Sequence, residues 1–259
     1  MSRISTVILA AGNSTRFKSK KSKLIHELGG LPVVNHVYNV AKHISGKDVI
    51  TVCNNKNINE LKLLLPESKF VLQKSQNGTA DAIYSAKSLI KNKNLLVLFG
   101  DTPLLSNKTL KKLINNFNKN KKLASMIAFK TLNPLGYGRV ITSGNKIISV
   151  VEEIFANKEE KEINICNSGV LLVNVNKFFN NLKLIKFKSA KKEKFLPDIF
   201  NIYSKKQSPF CFIKSSENEM LGINTINDLL VAEKIFQKNL VNKFKEKGVL
   251  IHKPESSYF

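Results

Sequence analysis

The sequence predicts an α/β fold: a mixed, mostly parallel sheet flanked by helices, with a long helix at the C-terminal end. Three observations predict it. Short apolar runs alternate with amphipathic stretches through the first half of the 259 residues, the spacing of βαβ units. The middle switches to a hairpin-like pattern. The end is one long stretch of helical period.

Each element has a local reason. Thr6–Ala10 is an apolar run and reads as a buried strand. Pro32–Ile44 reads as a helix, with Pro at its start and Val33, Val34, Val37, Val40, Ala41 and Ile44 at helical spacing. Asp48–Cys53 is a strand, and Ile58–Leu65 is a short helix ended by Pro66. Lys69–Leu72 is a strand, and Thr79–Ile90 is a helix with Ala82, Ile83, Ala86, Leu89 and Ile90 on one side. Leu95–Phe99 is a strand and Asn107–Phe117 a helix. Ala124–Phe129 is a strand, and Arg139–Thr142 with Lys146–Val151 forms a hairpin about Ser143-Gly144-Asn145. Asn157–Glu162 reads as a charged loop, and Ile165–Val175 as a further strand region. Thr225 to Lys247 is an amphipathic helix whose apolar face includes Leu229, Leu230, Ile235, Phe236, Leu240 and Phe244, with Gly248 as its stop. No linker composition divides the chain.

Composition narrows the class. A 42% hydrophobic content is ordinary for a globular chain. No apolar run has a membrane span's length, and the first residues lack a signal-peptide pattern, so a cytoplasmic location is expected. Cys53, Cys166 and Cys211 form no CxxC and suggest neither a disulfide framework nor a zinc site. The net charge of +23 raises a nucleic-acid partner. The lysines are scattered among asparagines, however, with no interleaved aromatics, so solvated faces are the expected explanation and no specific nucleic-acid or membrane partner is. Within this lysine-rich chain only Arg3, Arg16 and Arg139 are arginine. Retained arginine points to a need for its planar, bidentate fork.

In parallel sheets ligands sit beyond the carboxyl ends of the strands, so the segments after strands are the ones to read. Ala11-Gly12-Asn13-Ser14-Thr15-Arg16, with Lys23 seven residues on, can bring backbone N–H groups and two cations to an anion. It is equally a tight turn with two surface cations, since neither GxxxxGK[ST] nor GxGxxG is present. Gln73 and Gln76 carry amides that suit a nucleobase edge, and Gly78-Thr79 opens a helix; solvated glutamines beside a capped helix are the plain alternative. Asp101, directly after a strand and beside Gly100, is placed to hold Mg²⁺ against phosphates or to cap a turn. Gly136-Tyr137-Gly138-Arg139, Glu152, Asn167-Ser168-Gly169 and Gly222-Ile223-Asn224-Thr225 together suit a sugar bearing hydroxyls and an amide.

Taken in order, LAAG-x-x-TR, LQxxQxGTA, GDTPLL, GYGR, VEE, NSG and GIN resemble the pyrophosphorylase (uridylyltransferase) domain of the bifunctional bacterial uridyltransferase/acetyltransferase family. The resemblance runs from about Ser5 to Tyr258. It implies a Rossmann-like nucleotide-diphospho-sugar transferase fold, with residues 1–248 as the nucleotidyltransferase domain and 249–259 as a tail. It implies the reaction of UTP with N-acetylglucosamine 1-phosphate to UDP-N-acetylglucosamine and pyrophosphate. By resemblance, Ala11, Gly12, Gln73, Gly78 and Thr79 hold uracil and ribose. Arg16 and Lys23 act on the phosphates, Asp101 and Asn224 hold Mg²⁺, and Gly138, Glu152 and Asn167 hold the sugar. Arg139 braces the sugar loop, and His26 and His36 are structural. The family's β-helix domain would begin where this sequence stops, so neither acetyltransfer nor the family's trimer is expected.

The chain departs from the family pattern at Ser14 for Gly, Ser22 for Pro and Phe99 for Tyr. Ile154 and Phe155 stand where Lys and Asp are common, which bears on the phosphate end of the site. The rival readings are a same-fold enzyme with another sugar phosphate or nucleoside triphosphate, a catalytically degenerate nucleotide binder, and a basic nucleic-acid binder.

Overall fold

A computed structural model describes residues 3–120, 123–144, 146–188, 192–203 and 210–259. In chain order the elements are β1 (Ile4–Leu9), β2 (Glu27–Leu28), β3 (Leu31–Pro32), α1 (Val33–Ser45), β4 (Val49–Cys53), α2 (Ile58–Leu64), β5 (Lys69–Leu72), α3 (Thr79–Ser85), β6 (Asn94–Phe99) and α4 (Asn107–Asn120). Then follow β7 (Ala124–Lys130), β8 (Arg139–Ser143), β9 (Lys146–Val151), α5 (Lys158–Lys161), β10 (Ile165–Asn174), α6 (Val175–Leu182), α7 (Asp198–Tyr203), β11 (Phe210–Ser215) and α8 (Ile226–Glu246).

One mixed sheet organises the described residues, in the order β5-β4-β1-β6-β10-β7-β11-β9-β8. Strands β5, β4, β1 and β6 are parallel neighbours. Strand β10 runs antiparallel to both β6 and β7, whereas β11 lies parallel to β7. The short hairpin β2–β3 stands apart.

Strand alternation builds two cores. Val7, Leu9, Leu95 and Val97 face one side, with Ile83 of α3, Phe178 and Phe179 of α6 and Phe200 of α7. Ile4, Ile8, Leu96 and Leu98 face the other, with Val34 and Tyr38 of α1, Leu61 of α2 and Leu110 and Phe117 of α4. Successive side chains on a strand point to opposite faces, so continuous apolar runs such as Leu95–Leu98 mark strands covered on both sides.

Several local expectations are corrected. The predicted helix Thr79–Ile90 is α3 to Ser85 followed by a separate 3₁₀ turn at Lys87–Leu89. The charged loop Asn157–Glu162 contains α5, nucleated by a capping box in which Asn157 and Glu160 satisfy each other's backbone N–H groups. The strand region to Val175 stops at Asn174, whose side chain accepts from the Asn176 N–H and starts α6. The sequence reading missed α6, α7 and β11. Leu230 of α8 is turned outward at 57% exposure, and Ala232 and Val241 are buried instead. Asn145, named at the hairpin tip, lies outside the described residues.

Helix α8 fixes the β2–β3 hairpin. Glu233 accepts from the Gly29 N–H at 2.9 Å, and Phe236 packs on Gly29, where a Cβ would lie 2.1 Å from the ring. Residues 249–259 fold back on the same helix: the Phe259 backbone bonds the Gln237 amide at both N and O, each at 2.9 Å. Among the described residues no helix is long and apolar enough to cross a membrane.

Candidate active site

Two adjoining cavities open at the carboxyl ends of β1, β5 and β6. The larger, of about 490 Å³, is lined by the loop after β1, by Lys23, Gln73, Gln76, Gly78, Thr79 and Asp101. The smaller, of about 250 Å³, is lined by Gly138, Glu152, Asn167 and Gly169 among others. Thr79, Phe99 and Phe195 border both.

The first loop is held from below by two buried asparagines. Asn57 donates to the Ala10 carbonyl at 2.7 Å and Asn54 to the Ala11 carbonyl at 2.9 Å. With these carbonyls fixed, the Gly12 stretch stays at the cavity wall. Ser14 adopts a left-handed conformation, φ 55°, which costs an L residue roughly 1–2 kcal/mol. Its hydroxyl accepts from the Lys23 N–H at 3.4 Å, joining the arginine-bearing turn to the lysine-bearing one. Ser22 caps the latter by accepting from the Leu24 N–H. Phe17, only 1% exposed, anchors the turn against the His26 ring, centroids 4.7 Å apart. His36 bonds the Leu28 carbonyl at 2.8 Å.

Four predicted residues from three distant parts of the chain meet in one cluster. Lys23 Nζ lies 2.5 Å from Asp101 Oδ2 and 2.9 Å from Asn224 Oδ1. Arg16 Nη2 donates to the same Asn224 oxygen at 2.9 Å. Asn224 is placed by the start of α8, where Asp228 accepts from the N–H groups of Asn224 and Thr225. The Ile223 N–H bonds the Asp101 carbonyl at 2.8 Å, so the α8 entry and the β6 exit are tied directly. Carboxylate and amide oxygens are hard donors suited to Mg²⁺, and both already face a cationic group. The described residues hold no group of three or more His, Cys, Asp or Glu that would complete a metal shell from protein alone.

Gln73 is buried. Its amide nitrogen donates to the Gly78 carbonyl and to Asp81, each at 3.0 Å, so one edge of the amide is committed to the protein. Gln76 instead forms a reciprocal amide pair with Asn13 and reaches the Ala11 carbonyl at 3.3 Å, closing over the first loop. Gly78 has φ +95°, and a Cβ there would stand 2.5 Å from the Lys194 carbonyl. Around it the backbone of 194–196 pairs with the loop before α3 and with its first turn: Lys194 N–H to Asn77 at 2.7 Å, Ala80 N–H to Lys194 at 3.1 Å, and Leu196 N–H to the Thr79 hydroxyl at 2.9 Å. This strap carries Phe195 across the boundary between the two cavities.

In the smaller cavity Asn167 is fixed by its own N–H to the Gly138 carbonyl at 2.8 Å and by its side chain to the Gly169 N–H at 2.8 Å. Register shifts in β10 between Asn167 and Leu171, and the bulge aims this segment at the cavity. Gly169, φ +81°, lets Phe99 lie where a Cβ would come within 2.4 Å of its ring. Glu152 sits against Gly138, its carboxylate 3.5 Å from where a Cβ would be. Burial, then the nearby Asp198, pushes its pKa above the usual carboxylate value, with Lys188 opposing. Arg139 is 1% exposed and ion-paired to Glu153 at 2.6 Å, with further bonds to the carbonyls of Tyr137 and Lys161. Its fork ties the turn before β8 to α5 and does not line the cavity.

Sequence reasoning missed Asn54, Asn57, Phe195 and the strap. The asparagines carried a weak signal, Asn54 directly after the apolar strand β4 and Asn57 three residues on. Phe195 carried none, because only the fold brings it between Thr79 and Phe99.

Among the described residues, a nine-stranded α/β sheet with cationic loops converging at the carboxyl ends of its parallel strands is the frame of a nucleotide-binding transferase. The chain belongs to the family of MobA-like NTP transferase domains, whose model matches residues 6–160. It is similar to the bifunctional protein GlmU of Buchnera aphidicola, 36% identical over 255 residues, which are 97% of this chain and 55% of that one. It is likewise similar to GlmU of Thermoanaerobacter pseudethanolicus, 35% identical over all of this chain and 57% of the relative. The chain therefore spans a little over half the length of the curated relatives it matches. Among solved structures, a provisionally named glucose-1-phosphate thymidylyltransferase from Bacillus anthracis shares the fold, with TM-score 0.73, 21% identity and coverage of 90% and 94% of the two chains.

Proposed function

We propose that this chain is a sugar-phosphate nucleotidyltransferase that makes UDP-N-acetylglucosamine and pyrophosphate from UTP and N-acetylglucosamine 1-phosphate. The observation that carries the reading is the cluster of Arg16, Lys23, Asp101 and Asn224 at the edge of a cavity that adjoins a second, sugar-sized one. Support for the substrates comes from the GlmU relatives and from the ordered motifs.

In this reading the larger cavity takes the nucleotide. Ala11, Gly12, Gly78 and Thr79 wall it, and Gln73 presents the free edge of its amide to the base. The smaller cavity takes the acetylated sugar, with Gly138 and Asn167 offering backbone and amide groups and Glu152 accepting from a hydroxyl. Asp101 and Asn224 would hold Mg²⁺, whose chemistry is neutralisation of phosphate charge during transfer. Arg16 and Lys23 draw charge toward the departing pyrophosphate. The sugar phosphate oxygen attacks the α-phosphorus in line, so no protein nucleophile is needed and positioning with charge stabilisation carries the rate. The shared border at Thr79, Phe99 and Phe195 is where the two substrates' phosphates meet.

A pyrophosphate-release assay with Mg²⁺, a panel of nucleoside triphosphates and a panel of sugar phosphates tests this. The expected best pair is UTP with N-acetylglucosamine 1-phosphate. Preference for another base or sugar overturns the substrate assignment, and no turnover with any pair overturns the enzymatic reading.

A further inference from the structure

The cluster contains a conflict that bears on how a metal ion reaches it; the argument rests on the nucleotidyltransferase reading above. Asn224 Oδ1 has two lone pairs, and two cations take them: Arg16 Nη2 at 2.9 Å and Lys23 Nζ at 2.9 Å. The same Lys23 ammonium is 2.5 Å from Asp101 Oδ2. Both side chains of this ion pair are largely shielded, at 12% and 19% exposure. Mg²⁺ bonds oxygen at about 2.0–2.1 Å and tolerates little distortion. An ammonium bridging both oxygens and a divalent ion bonded to both cannot share that space, and their charges repel.

We propose that Lys23 is a resident cation that competes with the divalent metal for Asp101 and Asn224, and that the triphosphate releases them by drawing Lys23 and Arg16 to itself. Lys23 thus has two successive partners. In the free protein its ammonium holds the two oxygens together and satisfies the partly buried carboxylate. With nucleotide present, the phosphates offer stronger anionic partners, Lys23 withdraws, and the oxygens become available to the ion. Metal and nucleotide then strengthen each other's binding, because linkage of this kind is reciprocal. A free enzyme loaded with metal alone is disfavoured. The lysine also prevents Asp101 from standing unpaired in a partly buried place, which would be costly.

The test measures Mn²⁺ binding to the full chain without nucleotide, by paramagnetic resonance of the free ion. The variants are Lys23→Met, Asp101→Asn and Lys21→Met. Lys21 is an exposed loop residue, so the last variant removes an equal charge nearby without touching Asp101. Lys23→Met is expected to bind Mn²⁺ at least tenfold tighter than the native chain, Lys21→Met within twofold of it, and Asp101→Asn more weakly. Circular dichroism confirms that each variant is folded; should Lys23→Met not fold, Lys23→Gln serves, with the same expectation. Equal affinities for the Lys23 variant and the native chain overturn the exchange. A gain in Lys21→Met as large as that in the Lys23 variant also overturns it, by reducing the effect to general charge. If Asp101→Asn abolishes Mn²⁺ binding while the Lys23 variant is silent, the exchange fails and the metal assignment stands. If Asp101→Asn changes nothing, the metal assignment itself fails.

Discussion

Arg16 and Lys23 both meet Asn224, yet their chemistries differ. Arginine presents a rigid fork that can bind two phosphate oxygens at once, whereas lysine is a point charge. Arg16→Lys is expected to lower kcat/KM by about 10- to 100-fold, roughly 1.4–2.7 kcal/mol of transition-state stabilisation. Stability should change by no more than about 0.5 kcal/mol, as exposed charge swaps usually do. Lys111→Arg, on exposed helix surface, is the control, and steady-state kinetics with denaturant melts read both. Glu152 invites a pH experiment. Its raised pKa means that the folded state holds the proton to higher pH than the unfolded chain. The resulting penalty is absent below the unfolded carboxylate pKa, grows as pH rises, and is complete above the folded value. Glu152→Gln should therefore be more stable than the native chain at pH 8, with the advantage vanishing near pH 3. It should also raise the KM for the sugar phosphate, since the charged acceptor is lost.

At the scale of elements, the strap and the loop before α3 depend on one residue without a side chain. Gly78 holds a conformation that L residues rarely adopt, and its missing Cβ is replaced by the Lys194 backbone at 2.5 Å. Gly78→Ala should destabilise the fold by more than about 2 kcal/mol, combining backbone strain with overpacking. Hydrogen exchange should show loss of protection at the N–H groups of Ala80, Lys194 and Leu196 before the strands are affected. The glycine could be read from the sequence as a helix start; its role as a slot for another chain segment could not. The same division holds elsewhere. Strands β1, β4, β5 and β6 were legible because each carries a short apolar run followed by small or polar residues. Strand β11 was not, since its Phe-Cys-Phe-Ile run is short and sits in a polar stretch, and pairing with β7 and β9 makes it a strand. Residues Arg16, Lys23, Asp101 and Asn224 were legible as a set through their ordered motifs. Their direct contact was not, because it depends on the Ile223–Asp101 bond that joins the start of α8 to the end of β6. The placement of Arg139 was also illegible: a buried arginine paired to Glu153 has the same sequence signature as one facing a ligand.

The whole molecule carries a net charge of +23, most of its basic residues being lysine. Such a chain should bind duplex DNA weakly at low salt and without sequence preference, through counterion release alone. Fluorescence anisotropy is expected to show that binding lost by about 0.2 M salt, while pyrophosphate release persists there; sequence-selective binding at that salt would require a dedicated nucleic-acid surface. The sheet order has a different consequence, and it concerns synthesis. Strand β7 ends at Lys130, but the neighbour that covers its outer edge, β11, does not begin until Phe210. At about 5–20 residues per second, a ribosome needs roughly 4–16 s to make the intervening seventy-nine residues. During that interval the nascent chain holds Ala124–Lys130, five of its seven residues apolar, with both edges open until β10 is made and the β11 edge open after that. The parallel units of the first half can pack as they emerge, but protection of this edge waits for a segment made some eighty residues later. A pause between codons 130 and 210 would lengthen that exposure, and the yield of soluble protein should fall with the length of the pause.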